Sequence, residues 1–339
     1  MSALERIKQA IEDMKQGKMV VMVDDEDREN EGDLVYPSTF STPEKVNFMA
    51  THAKGLICVA LSEDIAKRLE LVPMVKNNDS QHETAFTVSV DARVCSTGIS
   101  ASERDITIKI LADSLSKAGD LVRPGHIFPL IAKKGGALVR TGHTEGSVDL
   151  CKLAGLVPSA VICEIMKEDG TMARRPDLDK FCAEHGLNIV YISDIVEYRM
   201  QHELLVRQIA ESKVDFLGSE AKKIDMVDHE DNHHVVYAFG EIKEECAVKF
   251  HNIMPDIELF SNDKKLQNLL NAIEHLKANG GVLIFLDNEN SRQKEMKEYG
   301  VGAQILKKLG IKKIHLLTSS KGKEYVGLGG FGLEIVEEL

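Results

Sequence analysis

Short apolar segments alternate with helix-like segments along most of the chain, and this alternation is the feature that most constrains its fold. Residues 17–23, 55–62 and 160–166 have the pattern of strands, and the last is so nearly apolar throughout that a central position in a sheet is predicted. Residues 41–55 and 177–186 carry helix signals, with Thr-Pro-Glu at the start of one and a glycine at the end of the other. Further strands are predicted at 32–37, 85–92, 136–140 and 188–191. The order lacks a strict β-α-β rhythm, which predicts an α/β or α+β fold.

The length of 339 residues suits two domains better than one. The segment 197–216 is polar and helix-prone, and it separates the first strand–helix pattern from a second one. The second pattern consists of a strand group at 236–252, helices at 263–281 and 302–310, and strands at 282–287 and 311–318. We therefore place the boundary near residue 202. This gives a layered first domain over 1–202, with a mixed sheet and flanking helices, and a smaller α/β domain over 203–339.

Composition excludes several classes of function. A formal charge of −12 and the absence of Trp argue against a nucleic-acid or anionic-membrane partner. No apolar run approaches the roughly 20 residues that span a bilayer, and the amphipathic N-terminus lacks a secretory apolar core. The six cysteines include no C-x-x-C pair, a pattern typical of a reducing compartment. We predict a cytoplasmic protein.

The sequence DDEDRENEGD (24–33), called the acidic loop below, holds seven carboxylates and one arginine in ten residues. Two interpretations are open, a solvated loop and a metal-and-substrate site, because like charges at this density need either water or a cation. An EF-hand beginning at Asp27 is excluded, since its twelfth position, which requires Glu, is Ser38. Mg²⁺ fits better, because it takes one or two carboxylates and leaves other positions to water and substrate. Arg28 would then pair with these acids or hold an anionic group.

A second candidate site is the strand-to-helix turn RTGHT at residues 140–144. The predicted helix begins at His143, so its free N–H groups and the positive end of its dipole would form a phosphate cradle. Arg140 adds a guanidinium and Thr144 a hydroxyl. The alternative is a plain turn with a capping threonine.

Two further residues stand out. His126 lies between two prolines in RPGHIFPL, which predicts a rigid loop. Glu164 interrupts the apolar strand 160–166, where burial would raise its pKa toward the range needed for acid–base catalysis. If that strand lay at a sheet edge, Glu164 would simply be exposed.

These features occur together, and in the same order, in one enzyme family. The first 200 residues resemble 3,4-dihydroxy-2-butanone 4-phosphate synthase, a lyase of riboflavin biosynthesis. The stretches that carry the resemblance are DDEDRENEGDL, STGISASERD, RPGHIFPL, RTGHTEGSVDLCKLAGL, CEIM and DGTMAR. The resemblance implies conversion of D-ribulose 5-phosphate to the four-carbon phosphate and formate, with two Mg²⁺ (or Mn²⁺) ions per site. It also implies a homodimer through the first domain, with active sites near the subunit interface.

The resemblance also implies roles for individual residues. Glu29 and His143 would be the metal ligands, and His126, Glu164, Glu31 and Asp33 the catalytic groups. The substrate would be bound by Arg28, Glu29, Asp33, Cys58, Arg140, Thr141, Gly142, His143, Thr144 and Glu164. Thr97, Ser100 and Thr107 are weaker candidates on the phosphate side.

The second domain resembles GTP cyclohydrolase II, but it departs from that family where zinc would bind. The family holds zinc with three cysteines after a V-x-x-H segment, and this chain has VKFHNIMPDIELFSNDKK there, with Cys246 as its only cysteine beyond residue 182. LDNENSRQ replaces the family's arginine-glycine stretch. We predict no zinc and no cyclohydrolase activity. The alternative is a bifunctional enzyme with an atypical zinc site built from His229, His233, His234 and His251.

Overall fold

A computed structural model describes residues 1–26, 28–80, 84–203, 206–228, 231–287, 294–318 and 333–339. Contacts between residues divide the chain into two compact units, Met1–Tyr198 and Arg199–Leu339. The boundary predicted from the sequence lies four residues further along the chain. Among the described residues, no helix has the length and apolarity needed to cross a membrane.

Unit 1 is built on a seven-stranded mixed sheet, as predicted. Its strands, in chain order, are β1 Val20–Val23, β2 Gly32–Pro37, β3 Cys58–Leu61, β4 Val90–Ala92, β5 Leu121–Ile131, β6 Ser159–Glu164 and β7 Asn188–Tyr191. Their order across the sheet is β4-β5-β3-β6-β2-β1-β7, with β3–β5 and β1–β7 parallel and the other pairs antiparallel. Because β6 lies between β3 and β2, the predicted central position of this strand is confirmed, and Glu164 does not lie on an edge strand.

Helices cover both faces of this sheet. They are α1 Ala3–Lys15, α2 Pro43–Phe48, α3 Glu63–Arg68, α4 Ala101–Ala112, α5 His143–Leu153, α6 Arg175–His185 and α7 Ile192–His202. On one face α1 and α5 pack against strand residues such as Met22 and Ile162, and on the other α2, α3 and α4 pack against residues such as Leu34 and Val161. Strand side chains alternate between the two apolar layers, which explains why the central strands read as continuous apolar runs.

Local signals explain where several helices begin and end. Ser2 and Glu5 form a capping box at the start of α1, and α6 ends at Gly186, which has φ +64°. Thr42 caps α2, and Pro43 occupies its first position. The start of α2 and the end of α6 follow the sequence predictions, whereas the capping box of α1 was not predicted.

Three predictions for unit 1 were wrong. The predicted strand 136–140 is instead a 3₁₀ turn, because Gly135 and Gly136 take positive φ and the Asp149 carboxylate accepts the Ala137 N–H at 2.7 Å. The predicted strand 85–92 is a strand only at Val90–Ala92. His126 lies within the long strand β5 rather than in a loop.

Among its described residues, unit 2 also has a seven-stranded mixed sheet. Its strands are β8 Arg207–Phe216, β9 Ser219–Val227, β10 His233–Phe239, β11 Glu245–Asn252, β12 Gly281–Leu286, β13 Lys313–Leu316 and β14 Glu334–Glu338, in the order β14-β13-β11-β12-β10-β9-β8. Its helices are α8 Asp256–Phe260, α9 Asp263–Asn279 and α10 Lys294–Lys308. The α/β prediction is confirmed. The segment 197–216, predicted as helix-prone, is helical only to His202 and continues into the exposed edge strand β8.

Candidate active site

The acidic loop joins β1 to β2 and is folded around Asp24. The Asp24 carboxylate accepts hydrogen bonds from the N–H of Glu29 at 3.0 Å and the N–H of Glu31 at 2.8 Å. It also accepts a hydrogen bond from Nη1 of Arg28 at 2.9 Å. The side chain of Asp24 is fully buried, whereas Asp25 and Glu26 are exposed. Part of the loop is therefore solvated, and the rest is an ordered structure that directs Glu29 and Glu31. Asp27 lies outside the described residues.

Strand register brings further carboxylates beside this loop. Asp33 on β2 pairs directly with Glu164 on β6. Directly opposed residues in an antiparallel pair project from the same face, so the two carboxylates are neighbours. Cys58 on β3 pairs with Ile162 of β6, two residues from Glu164, and therefore shares that face. The Glu164 carboxylate also accepts the N–H of Leu56 at 2.8 Å.

Helix α5 supplies the histidine. His143 is its first residue and is buried, with Nδ1 3.7 Å from Oε2 of Glu29 and Nε2 3.9 Å from Oδ1 of Asp33. We call the group formed by Glu29, Glu31, Asp33, His143 and Glu164 the acid pocket. Donor atoms of Asp24, Glu29 and His143 all lie within 4.8 Å of one another, and they form the one such group among the described residues.

Burial and neighbouring charges shift the pKa values of the acid-pocket residues in different directions. Burial would raise the pKa of Glu29, but the His143 imidazolium and Arg28 lower it to about 2. Burial would lower the pKa of His143, but Asp33 and Glu29 raise it to about 9. Burial, together with the charges of Glu164 and Glu29, raises the pKa of Asp33 to about 7. Burial, together with the charge of Glu29, also raises the pKa of Glu31. One carboxylate is thus held ionised, and a second titrates near neutrality.

The acid pocket fits a hard divalent cation. Oδ1 of Asp33 and Nε2 of His143 are buried polar atoms without a hydrogen-bond partner, and unmet buried polar atoms are costly in a finished structure. Carboxylate oxygen and imidazole nitrogen suit Mg²⁺ or Mn²⁺. Glu29 and His143 could hold such a cation together with Asp24. The oxygens of Asp24 already accept the three N–H groups described above, and Oε2 of Glu29 accepts a hydrogen bond from Nη1 of Arg28 at 2.8 Å.

Arg140 is held in place at the N-terminus of α5. Its Nη1 lies 2.6 Å from Oε2 of Glu145, and the other Glu145 oxygen accepts the N–H of Lys133 at 3.0 Å. A Cβ at Gly142 would lie 2.2 Å from Nη1 of Arg140, so a larger residue there would displace the guanidinium from this position. Thr144 is buried and Thr141 is exposed. Sequence reasoning missed Glu145, although an acid in the first turn of the predicted helix is the signal that could have indicated it.

Other predicted site residues have contacts outside the acid pocket. Nδ1 of His126 lies 2.8 Å from Oδ2 of Asp91, and its ring is 43% exposed. The described contacts of His126 do not include Glu164. The hydroxyl groups of Thr97 and Ser100 bind the Glu103 carboxylate, and the Thr107 hydroxyl accepts the N–H of Ala92. Sequence reasoning missed Glu103, although it lies within the matching stretch STGISASERD, and missed Asp91, which lies outside the matching stretches.

The predicted histidine set of unit 2 is not assembled in the described residues. His234 is fully buried, with Nε2 3.2 Å from Asp228 and Nδ1 accepting the N–H of Asp287. His251 packs on the ring of Phe285, and His233 is exposed on β10. His229 lies outside the described residues, as does most of the stretch LDNENSRQ.

The acid pocket combines carboxylates and a histidine, and Arg140 lies beside it at the N-terminus of α5. This arrangement is typical of a metal-dependent enzyme. A family model of 3,4-dihydroxy-2-butanone 4-phosphate synthase matches residues 8–198, and one of GTP cyclohydrolase II matches only residues 287–339. A 3,4-dihydroxy-2-butanone 4-phosphate synthase from Sulfurospirillum multivorans is 69% identical over 335 residues, covering 99% of this chain and 94% of the relative. The chain belongs to the 3,4-dihydroxy-2-butanone 4-phosphate synthase family.

Solved structures agree with this family membership. RibBX, a two-domain 3,4-dihydroxy-2-butanone 4-phosphate synthase from A. baumannii, matches with a TM-score of 0.76 and 37% identity, covering 98% of this chain and 97% of its own. A 3,4-dihydroxy-2-butanone 4-phosphate synthase in complex with two magnesium ions matches with a TM-score of 0.56 and 38% identity, covering 58% of this chain and 97% of its own. The resemblance seen in the sequence is confirmed, and the bifunctional alternative is not favoured.

Proposed function

We propose that the protein is a lyase of riboflavin biosynthesis that converts D-ribulose 5-phosphate to 3,4-dihydroxy-2-butanone 4-phosphate and formate. The observation that carries this proposal is the pair of unpartnered buried atoms, Oδ1 of Asp33 and Nε2 of His143, 3.9 Å apart among three further carboxylates. Family membership over residues 8–198 supports it. A solved relative in complex with two magnesium ions supports two Mg²⁺ (or Mn²⁺) ions per site.

The residues of the acid pocket have the properties that this reaction needs. It begins by removing a proton next to a ketone, then loses water, migrates carbon and releases one carbon as formate. When bound by Glu29 and His143, a divalent cation would stabilise negative charge on the substrate oxygens. Asp33, with its pKa near 7, is suited to proton transfer at neutral pH. Glu164 lies beside it on β6 and is placed for transfers at a second carbon.

Other residues bind and enclose the substrate. Arg140 would hold the phosphate together with the N–H groups of residues 141–144, and its ion pair with Glu145 fixes the guanidinium before substrate arrives. Arg28 and Glu31 belong to the loop that would exclude water. Burial and the charge of Glu164 raise the pKa of the Cys58 thiol, so Cys58 stays protonated and serves as a packing group rather than a nucleophile.

We also propose a cytoplasmic homodimer formed through unit 1, with His126 near the shared interface. Val94 and Ile99 are exposed apolar side chains that follow β4, the strand paired with β5 near His126. All six cysteines are free thiols, which is consistent with a reducing compartment. Light scattering tests the assembly, and a monomeric mass would overturn it.

Unit 2 is proposed to lack cyclohydrolase activity. Cys246 is the only cysteine it contains, and the described histidines do not converge on a common point. Unit 2 has a single thiol, so it cannot supply three thiolates to a zinc ion.

One experiment tests both proposals. The purified full chain is offered ribulose 5-phosphate with Mg²⁺ and, separately, GTP with Zn²⁺, and the carbon products are identified by NMR. We expect butanone phosphate and formate in the first reaction and unchanged GTP in the second. Formate without the four-carbon phosphate would overturn the first proposal, and consumption of GTP would overturn the second.

A further inference from the structure

Arg174 contacts the acidic loop from outside the acid pocket. Its Nη1 donates to the carbonyl oxygen of Glu29 at 2.7 Å and to that of Asn30, and it lies 3.8 Å from Oε1 of Glu31. The contacts span more than 140 positions of the sequence, so they join distant parts of the chain. Arg174 is thus the cation that binds this loop through its backbone, whereas Arg28 binds it through side chains.

The backbone around Arg174 is anchored to the same strand as the catalytic Glu164. Ile165, which follows β6, donates its N–H to the carbonyl of Gly32 at 2.9 Å and accepts the N–H of Ala173 at 2.9 Å. Gly32 also lies against Leu178 of α6, close enough that a Cβ there would come within 2.6 Å of the leucine. The position of Arg174 relative to the loop is therefore fixed by buried structure on both sides.

The backbone that Arg174 holds is in an uncommon conformation. Asn30 has φ +54°, in the left-handed region that few non-glycine residues adopt and that Asn adopts more readily than most. Such a conformation persists when surrounding contacts determine it. The two charge-assisted hydrogen bonds from Arg174 to successive carbonyls stabilise this conformation, because they fix the orientation of both peptide planes. These planes in turn set the directions of the Glu29 and Glu31 side chains.

We propose that Arg174 is a positioning residue that holds the acidic loop in its metal-binding conformation. Without it, the turn at Asn30 relaxes, and Glu29 no longer remains beside His143. The described contacts of the Arg174 side chain are with the loop backbone and Glu31, and include none with Asp33, His143 or Glu164. The inference rests on the proposed function for its metal, but the conformation of the loop is observable without metal or substrate.

The test uses Arg174→Gln in the full chain, since Gln keeps the backbone N–H that binds Asp177 at the start of α6. The matched control is Arg175→Gln: Arg175 is the adjacent residue, has similar exposure, and pairs with Asp179 instead. Hydrogen exchange of the Glu29 and Glu31 amides, both bound to Asp24, is measured in EDTA. We expect exchange about tenfold faster in Arg174→Gln and unchanged in the control.

Metal binding provides a second readout. Mn²⁺ titration without substrate should show about tenfold weaker binding for Arg174→Gln and partial recovery for Arg174→Lys, which restores the charge without the planar fork. We expect kcat to fall by a larger factor than the factor by which KM for the sugar phosphate changes. Wild-type exchange rates at Glu29 and Glu31 in Arg174→Gln would overturn the positioning role. Failure of the wild-type protein to bind Mn²⁺ would instead overturn the proposed function, and the exchange result would still decide the role of Arg174.

Discussion

Binding of a divalent cation should release a proton from His143. In the metal-free protein burial opposes the imidazolium, but Asp33 and Glu29 favour it and raise the pKa of His143 to about 9. A metal ligand must be the neutral ring, so binding below pH 9 displaces the proton. At pH 7.5 the expected release is close to one proton per ion bound at Glu29 and His143, since nearly all rings are charged at that pH.

The same linkage fixes the pH dependence of affinity. Between pH 7.5 and 8.5 the association constant for Mn²⁺ should rise ~8-fold, equivalent to ~1.2 kcal/mol, and should level off above pH 9.

Calorimetry in buffers of different ionisation enthalpy measures the released protons directly. His143→Gln should bind Mn²⁺ weakly and release no proton from this position. His52→Gln is the control, because His52 lies in a separate cluster against Phe48 and His185. Metal binding without proton release at pH 7.5 would refute His143 as a ligand.

Three further substitutions test other parts of the site. Asp33→Asn should lower kcat by ~10²- to 10⁴-fold in a formate assay while Mn²⁺ binding remains, and an unchanged kcat would exclude Asp33 from proton transfer. Glu145→Gln should raise KM for ribulose 5-phosphate by about tenfold through a loosened Arg140, with kcat nearly kept; an unchanged KM would contradict the preorganised phosphate clamp. Gly136→Ala should lower the free energy of unfolding, measured in urea, by ~2 kcal/mol or more, because Gly136 has φ +66° and its Cβ would lie 2.1 Å from Asp149. The control Gly119→Ala should change this free energy little, because the space around Gly119 is open. Equal effects of the two substitutions would contradict this account.

The elements that the sequence predicted are those whose signals are local. The capped helix α2, the glycine-terminated α6 and the apolar strand β6 each carry their evidence within a few residues. The start of α5 at His143 was predicted for the same reason. The strand prediction for 136–140 was wrong because strands and buried turns share its apolar composition. The contact with Asp149 that distinguishes them is twelve residues away.

The candidate site divides in the same way. Glu29, Asp33 and His143 were indicated by composition and family resemblance, and the structure brings them together. The roles of the partners that orient the site were not indicated, although Arg174 ends the matching stretch DGTMAR. Arg174 reaches the loop from a distant segment, and Asp91 meets His126 only through the pairing of β4 with β5. Such contacts depend on tertiary packing, which leaves no periodic signal in one sequence.

The pairing of Asp33 with Glu164 also bears on how β2 finds its place in the sheet. All six residues of β2 are buried, and both of its faces meet apolar layers, so Leu34, Val35 and Tyr36 would tolerate a slip of one position. Such a slip would turn Asp33 into the layer occupied by Leu34 and Tyr36, where burial among apolar side chains would penalise an ionised carboxylate. The residue proposed to move protons therefore also penalises misregistered pairing, and a sheet assembled out of step would lose stability together with activity.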